Sequence, residues 1–509
     1  MAACSSNETD GNTTSNPDVE VNQEGFPIVD EEITLSLMAP GTGLAEWKDM
    51  PTLQEYSEMT NISFNYTTPP MSDFATRLNL SFASGDVADI IYGAGTGNLR
   101  RGWKVDYGRQ GILIPLEDLI ADYAPNIQKL LDENPDIARS ITTVDGHIYT
   151  LPAINQHPNS GWAVPMWYNG AWLDALDADV PTTTDELYEL LVRFRDEDPN
   201  GNGEADEIPL LDVQMNSTRL AFLGAFGMKA WGVEEVDGEV RYAPHTDNYK
   251  EYLTYMNMLF EEGLLDPETF SQSDEQKKAK GQENRLGLFP DWFSFFTTGQ
   301  PEDEAMNNPM FHPLSSPITD EPLIPINPGI TRGTFAITSN NEYPEASIRW
   351  VDYFYSQEGS EFLDMGPEGY LFELDESGNK VKLDPPPQFD SSEDFVVHRL
   401  LMVFRHQHSL VQKVSRVSLT SFLMQKRLKR SIHMEEVPIP LLYLTNEEQE
   451  IVNTIEVDLK SYVEQLEARF ITGVEPLSNW DKYVETIKGM NIEEYIEIYQ
   501  GAYDRWASS

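Results

Sequence analysis

Oxygen-bearing side chains recur at every second position at the start of residues 198–207, which read Asp-Pro-Asn-Gly-Asn-Gly-Glu-Ala-Asp-Glu. In a calcium loop, positions 1, 3 and 5 supply side-chain oxygens, and position 6 is a glycine that allows a sharp turn. Asp198, Asn200 and Asn202 occupy positions 1, 3 and 5, and Gly203 occupies position 6. The spacing therefore predicts a site for Ca²⁺, a hard cation that takes oxygen ligands.

The second half of this loop departs from the calcium pattern. Glu204 falls at position 7, which supplies a backbone carbonyl, and Asp206 falls at position 9. Position 12 is Pro209, which has no carboxylate, so we expect Asp206 and Glu207 to close the oxygen shell. The predicted calcium is structural because no nucleophile motif lies nearby. The alternative is an acidic turn between a helix and a strand that holds no metal.

The sequence carries no recognisable catalytic motif. No Ser-His-Asp arrangement, H-E-x-x-H helix or P-loop occurs. A glycoside hydrolase needs two carboxylates at a defined separation, and no motif frames such a pair among the 85 acidic residues. We therefore predict a binding protein rather than an enzyme. A secreted glycoside hydrolase or lyase stabilised by calcium is the alternative.

Strand and helix patterns alternate in the first hundred residues. Short alternating apolar runs predict strands, and apolar residues three and four apart predict helices. The predicted order is a strand over 33–38, a helix around 53–59, a strand over 62–66, a helix through 74, 78 and 82, and a strand over 89–92. This β-α-β-α-β order predicts an α/β fold with a mostly parallel sheet and flanking helices.

A glycine-rich loop, Gly-Ala-Gly-Thr-Gly at 93–97, follows the third predicted strand. It imitates a dinucleotide fingerprint, but the position of the third glycine is Asn98, and no acidic residue sits at the required distance. Loops at the carboxyl ends of parallel strands are where α/β sheets bind ligands. We therefore reject a nucleotide and retain Gly93 as a ligand-binding candidate.

A second α/β unit is predicted to open with a strand at 166–169. Its clearest helix begins at Thr183, where Glu186 completes a capping box, and leads directly into the loop 198–207. The later predicted elements are an aromatic-rich strand end at 284–293, a strand over 332–338 and an amphipathic helix that ends at Gly359. A long helix follows near the end of the sequence; Thr445 and Glu448 cap its start, and it stops at Gly473.

The composition is dominated by acidic residues. The chain has 509 residues, enough for two or three domains, with 85 acidic and 35 basic side chains and a formal net charge of −50. Nucleic acids and anionic membranes are polyanions, so this charge argues against both as partners. A solvated acidic surface suits a protein exposed to high salt or high pH.

Cys4 is the only cysteine, so no intramolecular disulfide can form. Small residues precede it, as at the end of a bacterial lipoprotein signal, and a polar stretch rich in Ser, Asn, Asp, Thr and Glu follows. We expect Cys4 to be lipidated and residues 1–30 to form a disordered tether. The protein would then lie at the extracellular face of the cell membrane, in contact with the membrane only through its lipid.

The charge reverses in one segment, residues 395–434. It contains no acidic residue in 40 positions, but holds eight of the 35 basic residues and four of the eight histidines. It is either a basic helix that docks on an acidic surface or a stretch translated out of frame by a sequencing error. We favour the second explanation because its periodicity is poor and both flanks are ordinary, and we do not interpret its histidines as a metal site.

Several stretches resemble family 1 extracellular solute-binding proteins, the receptor lipoproteins of bacterial ABC importers. The matching stretches are 83–90, 145–152, 172–173 with 181–183, 198–207, 344–346 with 358–359, and 500–506. Within this family the sequence is similar to lipoproteins that feed oligosaccharide importers and to alginate-oligosaccharide binders, which hold calcium in a similar loop. The calcium ligands implied by that resemblance are Asp198, Asn200, Asn202, Glu204 through its carbonyl, Asp206 and Glu207.

The resemblance implies two α/β lobes, of the type II periplasmic-binding-protein kind, joined by a hinge and closing on a ligand in a cleft. The implied N-terminal lobe is 31–153 plus about 328–375, and the C-terminal lobe is 154–327 plus about 376–509. The implied function is a monomeric lipoprotein that captures oligosaccharides and delivers them to the transmembrane subunits of a permease. A peptide ligand, or a sensory role beside a histidine kinase, is a further alternative.

Sugar rings have apolar faces that stack on aromatic rings, and hydroxyls that need polar partners in a desolvated site. The side chains expected at loop tips for this purpose are Trp47, Trp162, Trp167, Tyr168 and Trp292, with Arg332 as a hydrogen-bond donor. Trp292 and Arg332 are preferred because they sit at predicted strand ends. Any of the aromatic residues could instead be part of the core. A uronate ligand would require arginines, for which Arg285 and Arg332 are the candidates.

Overall fold

The fold was analysed in a computed structural model that describes residues 19–41, 46–93, 106–154, 165–370, 372–376, 378, 380–383 and 434–508. Cys4, Trp162 and the basic segment up to residue 433 lie outside these residues, as does most of the glycine-rich loop after Gly93.

The strands alternate with helices through most of the described chain. The strands are β1 (Ile33–Met38), β2 (Ile62–Thr67), β3 (Ile90–Tyr92), β4 (Leu151–Ile154), β5 (Met166–Tyr168), β6 (Ile208–Leu210), β7 (Val233–Val236), β8 (Glu239–Tyr242), β9 (Leu286–Pro290), β10 (Ile324–Pro325), β11 (Ile330–Ile337), β12 (Phe372–Leu374), β13 (Lys380–Lys382) and β14 (Glu435–Glu436).

The α-helices of the described chain are α1 (Pro51–Thr60), α2 (Met71–Ser84), α3 (Glu117–Tyr123), α4 (Pro125–Glu133), α5 (Pro135–Ile141), α6 (Gly170–Leu176), α7 (Thr184–Asp196), α8 (Thr218–Leu223), α9 (Asp247–Glu261), α10 (Asp274–Gln282), α11 (Ser294–Thr298), α12 (Glu302–Ala305), α13 (Pro344–Asp352), α14 (Gln357–Met365), α15 (Asn446–Ile471), α16 (Trp480–Lys488) and α17 (Ile492–Ser508). Within these residues no helix is both long enough and apolar enough to span a membrane.

The chain divides into two compact units. The first contains the described residues up to 154, residues 329–383 and residues 443–445; the second contains 165–328, 434–442 and 446–508. The sheet of the first unit has the order β2-β1-β3-β11-β4. β1 pairs in parallel with β2 and β3, as the β-α-β-α-β pattern predicts, whereas β11 is antiparallel to both of its neighbours. The expectation of a mostly parallel sheet is therefore right only for β1–β3.

The ordered chain starts earlier than predicted. The expected tether 1–30 is wrong for residues 19–30, because Val21 bridges to Val29 and both Ile28 and Val29 are fully buried in the core of the first unit. The Arg349 guanidinium on α13 donates to the carbonyls of Gln23 and Gly25, at 3.1 and 3.2 Å. A few apolar residues in a polar stretch suffice to anchor it, since burial of each stabilises by roughly 1.5–3 kcal/mol.

Two other stretches belong to the first unit rather than to the predicted C-terminal lobe: β13, the second strand of the hairpin β12–β13, and residues 443–445. The hairpin β12–β13 stays with α14 because Lys380 pairs with Glu361, with Nζ 2.6 Å from Oε2. Tyr443 is held by the Arg332 guanidinium, which lies 4.1 Å from the centre of its ring. Neither contact is visible in the sequence, because each joins residues far apart along the chain.

The second unit is built on the sheet β5-β9-β6. β9 is parallel to β6 and antiparallel to β5, and all five of its residues are buried. The predicted capping box of α7 is present: the Thr183 hydroxyl accepts the Glu186 N–H, and the Glu186 carboxylate accepts the Thr183 N–H. β9 and α7 together position the two candidate sites described below.

Candidate functional site

Two exposed aromatic side chains lie just beyond the end of β9. Trp292 is 55% exposed and Phe296, in α11, is 45% exposed. Between them lie the half-buried Phe293 and Phe295, whose rings pack with each other and with that of Phe296 at centroid distances of 4.7–5.6 Å. We refer to these four residues as the aromatic cluster. Exposed aromatic faces of this kind can stack on sugar rings.

A buried charge network fixes the backbone below the aromatic cluster. One oxygen of the Asp291 carboxylate accepts the Trp292 N–H at 2.8 Å, and the other accepts the Thr297 hydroxyl at 2.7 Å. The buried Lys277 ammonium lies 3.3 Å from Asp291 and also donates to the Pro290 carbonyl at 2.9 Å. Because every group is paired at low exposure, the network holds the strand end and α11 in one arrangement.

Two predicted binding residues instead support this site from the core. Trp167 is 5% exposed in β5, and its indole N–H donates to the Asp291 carbonyl at 2.8 Å. Tyr168 is fully buried, packs against Phe311, and its hydroxyl finds no hydrogen-bond partner among the described residues. Burial raises the pKa of Tyr168 well above its usual value. The expectation that either ring lies at a loop tip is wrong, because the strand that carries them packs on β9.

The candidates in the first unit are also less exposed than predicted. Trp47 is 1% exposed, donates to the Pro40 carbonyl at 3.0 Å and packs against Tyr92 of β3, so it is a core residue. Arg332 is 2% exposed, and its guanidinium lies on the Tyr443 ring. Gly93 does lie at the end of β3, with a positive φ of 70° and its N–H donating to a β11 carbonyl at 2.7 Å. Trp162 lies outside the described residues.

Trp292 is therefore the one predicted aromatic residue of the described chain that lies at a strand end and exposes its ring. Sequence reasoning missed Phe296. The signal was present, since residues 292–296 read Trp-Phe-Ser-Phe-Phe directly after a buried strand. Aromatic residues that cannot all face the core leave some rings at the surface.

Both candidate arginines for a uronate are engaged by other groups of the protein. Arg285 donates to the Asp206 carbonyl at 3.1 Å, pairs with the Asp206 carboxylate at 3.1 Å, and contacts Glu283 at 3.3 Å. Arg332 is buried against Tyr443. Each guanidinium is thus committed to a partner within its own unit.

The predicted calcium loop connects α7 to β6 and is folded by its own side chains. Asp198 accepts the Gly203 N–H at 3.1 Å, Asn200 accepts the Asn202 N–H at 3.0 Å, and Asn202 accepts the Glu204 N–H at 2.7 Å. Asp198 has a positive φ of 47°, and Gly203 has one of 77°, which glycine adopts without strain. The tight turn predicted at Gly203 is confirmed.

The acidic side chains of this loop differ in their surroundings. The Asp206 carboxylate accepts the amide N–H groups of Asn202 and Asn200, at 3.0 and 3.1 Å, and these bonds lower its pKa. In contrast, Oε1 of Glu207 is buried without a hydrogen-bond partner among the described residues. Burial raises the pKa of Glu207, and the charges of Asp198 and Asp206 add to the rise. No three His, Cys, Asp or Glu side chains of the described chain already converge as a metal cluster.

Comparison with known proteins identifies relatives of the chain. A model for the bacterial extracellular solute-binding protein family matches residues 41–361. Over its full length the chain is 29% identical to FusA, the fructooligosaccharide ABC transporter substrate-binding protein of Streptococcus pneumoniae serotype 4, and covers 96% of that protein. It is 26% identical to YtcQ, a polygalacturonan/rhamnogalacturonan-binding protein of Bacillus subtilis, over 52% of this chain and 51% of that one.

Solved structures show the same fold. FusA in complex with kestose matches with a TM-score of 0.73 at 28% identity, over 94% of this chain and 100% of that one, and an EF-hand mutant of FusA has also been solved. A solute-binding protein from Bifidobacterium longum infantis matches with a TM-score of 0.78 at 20% identity, over 93% of this chain and 99% of that one. The predicted α/β fold class of solute-binding proteins is thus confirmed.

Proposed function

The chain belongs to the bacterial extracellular solute-binding proteins, and we propose that it captures oligosaccharides outside the cell for an ABC importer. The observation that carries this proposal is the aromatic cluster at the end of β9, with Trp292 as its most exposed ring. Its rigid support by Asp291 and Lys277 is what a preorganised binding surface needs, because little side-chain freedom is then lost on binding.

A neutral oligosaccharide fits the charges of the described residues better than a uronate. Arg285 and Arg332 are both committed within the fold, and the chain carries a net charge of −50 that repels anions. The resemblance to FusA, whose name specifies fructooligosaccharides, supports the same ligand class. YtcQ, named for its binding of galacturonans, matches over a smaller part of the chain.

The role of Trp292 can be tested by calorimetric titration with kestose. Loss of one stacked ring removes about 0.5–1.5 kcal/mol, so Trp292→Ala should weaken binding by about fivefold. Trp292→Phe keeps an aromatic face and should retain most of the affinity. Thermal midpoints equal to that of the parent protein would show that both variants fold. Unchanged kestose affinity in Trp292→Ala would remove the aromatic cluster from the binding surface.

We further propose that residues 198–207 bind a structural Ca²⁺. This assignment is supported by the side-chain oxygens of Asp198, Asn200 and Asn202, and by the buried oxygen of Glu207 that lacks a partner among the described residues, since carboxylate, amide and carbonyl oxygens are the ligands of this ion. Glu204 would contribute its carbonyl, and Asp206 would complete the set. Bound Ca²⁺ would offset two of the three negative charges of these carboxylates and fix the connection between α7 and β6. A higher thermal midpoint in calcium than in chelator is the expected result, and equal midpoints would contradict it.

We also propose a lipid anchor at Cys4 and a permease as the partner of the protein. Cys4 would carry the lipid that holds the protein at the outer face of the membrane, and the loaded protein, a monomer, would deliver its sugar to the transmembrane subunits of a permease. The chain would do no chemistry of its own. Metabolic labelling of cells with a fatty-acid probe tests Cys4, with Cys4→Ala as the unlabelled control. Release of monosaccharides from kestose by purified protein would favour the alternative of a glycoside hydrolase.

A further inference from the structure

The first unit contains a cavity that does not involve the aromatic cluster. It has a volume of about 590 Å³ and is bordered by α1, α14 and the hairpin β12–β13. Its apolar lining includes Met59, Tyr353, Phe362 and Phe372. The rings of Tyr353 and Phe362 are neighbours, with centroids 6.2 Å apart. A concave site of this size with aromatic walls can enclose a small organic molecule.

The charged groups around this cavity are strongly unbalanced. Four glutamates line it, Glu55, Glu358, Glu361 and Glu368, against the single described cation Lys380. Lys380 already shows how the cavity holds an ammonium group. Its Nζ lies 2.6 Å from a Glu361 oxygen and 4.8 Å from the centre of the Phe372 ring. An ammonium group is thus bound between a carboxylate and an aromatic face.

Two of the four carboxylates have neither an ion-pair partner nor a hydrogen-bond partner among the described residues. The Glu361 carboxylate is paired with Lys380, and that of Glu368 accepts the Leu374 N–H at 3.2 Å. Glu55 and Glu358 are exposed and make no ion pair or side-chain hydrogen bond within the described residues. Burial raises the pKa of Tyr353, and the charge of Glu358 adds to the rise, so this hydroxyl stays neutral beside a carboxylate.

We propose that this cavity is a binding site for a small organic cation, an ammonium group attached to an aromatic or alkyl body. Glu358 and Glu55 would hold the ammonium, and the body would lie against Tyr353 and Phe362, as the Lys380 ammonium lies between Glu361 and Phe372. Charge complementarity selects the cation, because an ammonium group gains an attraction to both exposed carboxylates that a neutral molecule lacks. The site does not depend on the proposed sugar-binding function.

The probe for this proposal is 2-phenylethylammonium, titrated calorimetrically into the full chain at low ionic strength. The neutral isostere 2-phenylethanol is the matched control ligand. We expect the ammonium to bind at least about fivefold more tightly than the alcohol, as loss of a charge partner at a partly exposed site would give. Equal affinities, or no binding of the ammonium, would overturn the proposal.

Three variants assign the site to the cavity. Glu358→Gln and Glu55→Gln should each weaken 2-phenylethylammonium binding by about fivefold while leaving the alcohol unchanged. Glu58→Gln is the control, because Glu58 is exposed on the same helix α1 but does not line the cavity. All three residues are exposed, so the variants should keep the parent thermal midpoint. Equal effects of the three substitutions would show a general attraction to an acidic surface and would overturn the assignment.

Discussion

Glu207 has a buried carboxylate oxygen that finds no hydrogen-bond partner among the described residues. Its partly buried carboxylate has a raised pKa, so in the metal-free protein folding disfavours its ionised form. The cost grows as the pH rises above the usual carboxyl pKa, because a raised folded pKa means that the folded state binds the proton more tightly. At neutral pH the charge therefore destabilises the metal-free fold.

This environment predicts that Glu207→Gln has opposite effects on the thermal midpoint in chelator and in excess Ca²⁺. In chelator at neutral pH the substitution removes an uncompensated charge and should raise the thermal midpoint. In excess Ca²⁺ it removes a ligand, so the gain in midpoint on calcium addition should shrink by at least half. Glu204→Gln is the control, since its exposed side chain is not a predicted ligand and should change neither value. A shift of the same sign under both conditions would contradict the calcium assignment.

His147 predicts a pH dependence of stability in the first unit. Its hydrogen bond with Glu117 raises the pKa of His147 above the usual 6.5, with Asp145 adding to the rise. A raised folded pKa gives stability that is fully present below the unfolded pKa and is lost as the pH rises through the folded one. The pair is about half exposed, so the contribution is at most about 1 kcal/mol.

The difference in urea midpoint between the parent protein and His147→Gln should therefore be largest near pH 5 and vanish near pH 9. Glu117→Gln should abolish that pH dependence, while its amide can still accept the Ile148 N–H that Glu117 accepts at 3.2 Å. A difference that stays constant or grows with pH would contradict this assignment.

Individual binding residues were the hardest feature to predict. Trp47 and Trp292 each follow an acidic residue in the sequence, but Trp47 packs against Tyr92 of a distant strand, whereas Trp292 exposes more than half of its side chain. The exposure of an aromatic ring depends on which strand packs against it, and that strand can be far away in the sequence. The turn at Gly203 was predicted correctly because the residues that form it are adjacent in the chain, whereas the calcium ligands stay a prediction.

At the scale of elements, a buried charge pair joins α15 to α8 in the second unit. Both carboxylate oxygens of Glu467 accept from the Arg219 guanidinium of α8, at 2.6–2.9 Å, and Glu467 is 1% exposed. The other face of the guanidinium lies on the Trp231 ring, 4.3 Å from its centre. Removal of one partner would leave a buried charge unpaired.

Glu467→Leu should accordingly destabilise the second unit by about 3 kcal/mol, measured as a lower denaturant midpoint. The double variant Arg219→Met with Glu467→Leu removes both charges and should be more stable than the single one, because no unpaired charge remains. A double variant that is less stable than Glu467→Leu would show that the pair contributes chiefly through packing.

Side-chain caps determine where two of the helices begin. The capping box at Thr183 predicted α7 correctly. The helix predicted to end at Gly359 is instead two helices, because the Ser356 hydroxyl accepts the Gly359 N–H at 3.0 Å and starts α14. Gly359 lies in the first turn of α14, where a side chain would collide with the Tyr353 carbonyl. The cap was readable in the sequence, but the apolar periodicity across it hid the break.

At the scale of the whole molecule, the net charge of −50 should make the fold depend on salt. Like charges repel in the compact state, and this repulsion is screened as the Debye length falls from about 10 Å at 0.1 M salt to about 3 Å at 1 M. The thermal midpoint should rise from low to high NaCl, and an equal series in KCl should match it. A midpoint that falls with both salts would show that ion pairs outweigh the repulsion.

The family and the fold class were predictable because they rest on many short stretches along the whole chain, and the match over 41–361 confirms the family. The ordered conformation of residues 19–30 and the placement of Tyr443 were not, since each depends on contacts with a residue more than 100 positions away, Arg349 and Arg332 respectively. The polar composition of residues 19–30 does not indicate that they are ordered.

The most direct test of the central claim is a calorimetric comparison of kestose with trigalacturonate, both titrated into the protein in buffer that contains Ca²⁺. The aromatic cluster, the committed arginines and the net negative charge predict that kestose binds and that trigalacturonate does not bind at ten times the kestose dissociation constant. Tighter binding of trigalacturonate would contradict the neutral-sugar account, and binding of neither ligand would contradict the assignment of this chain to a fructooligosaccharide-like class.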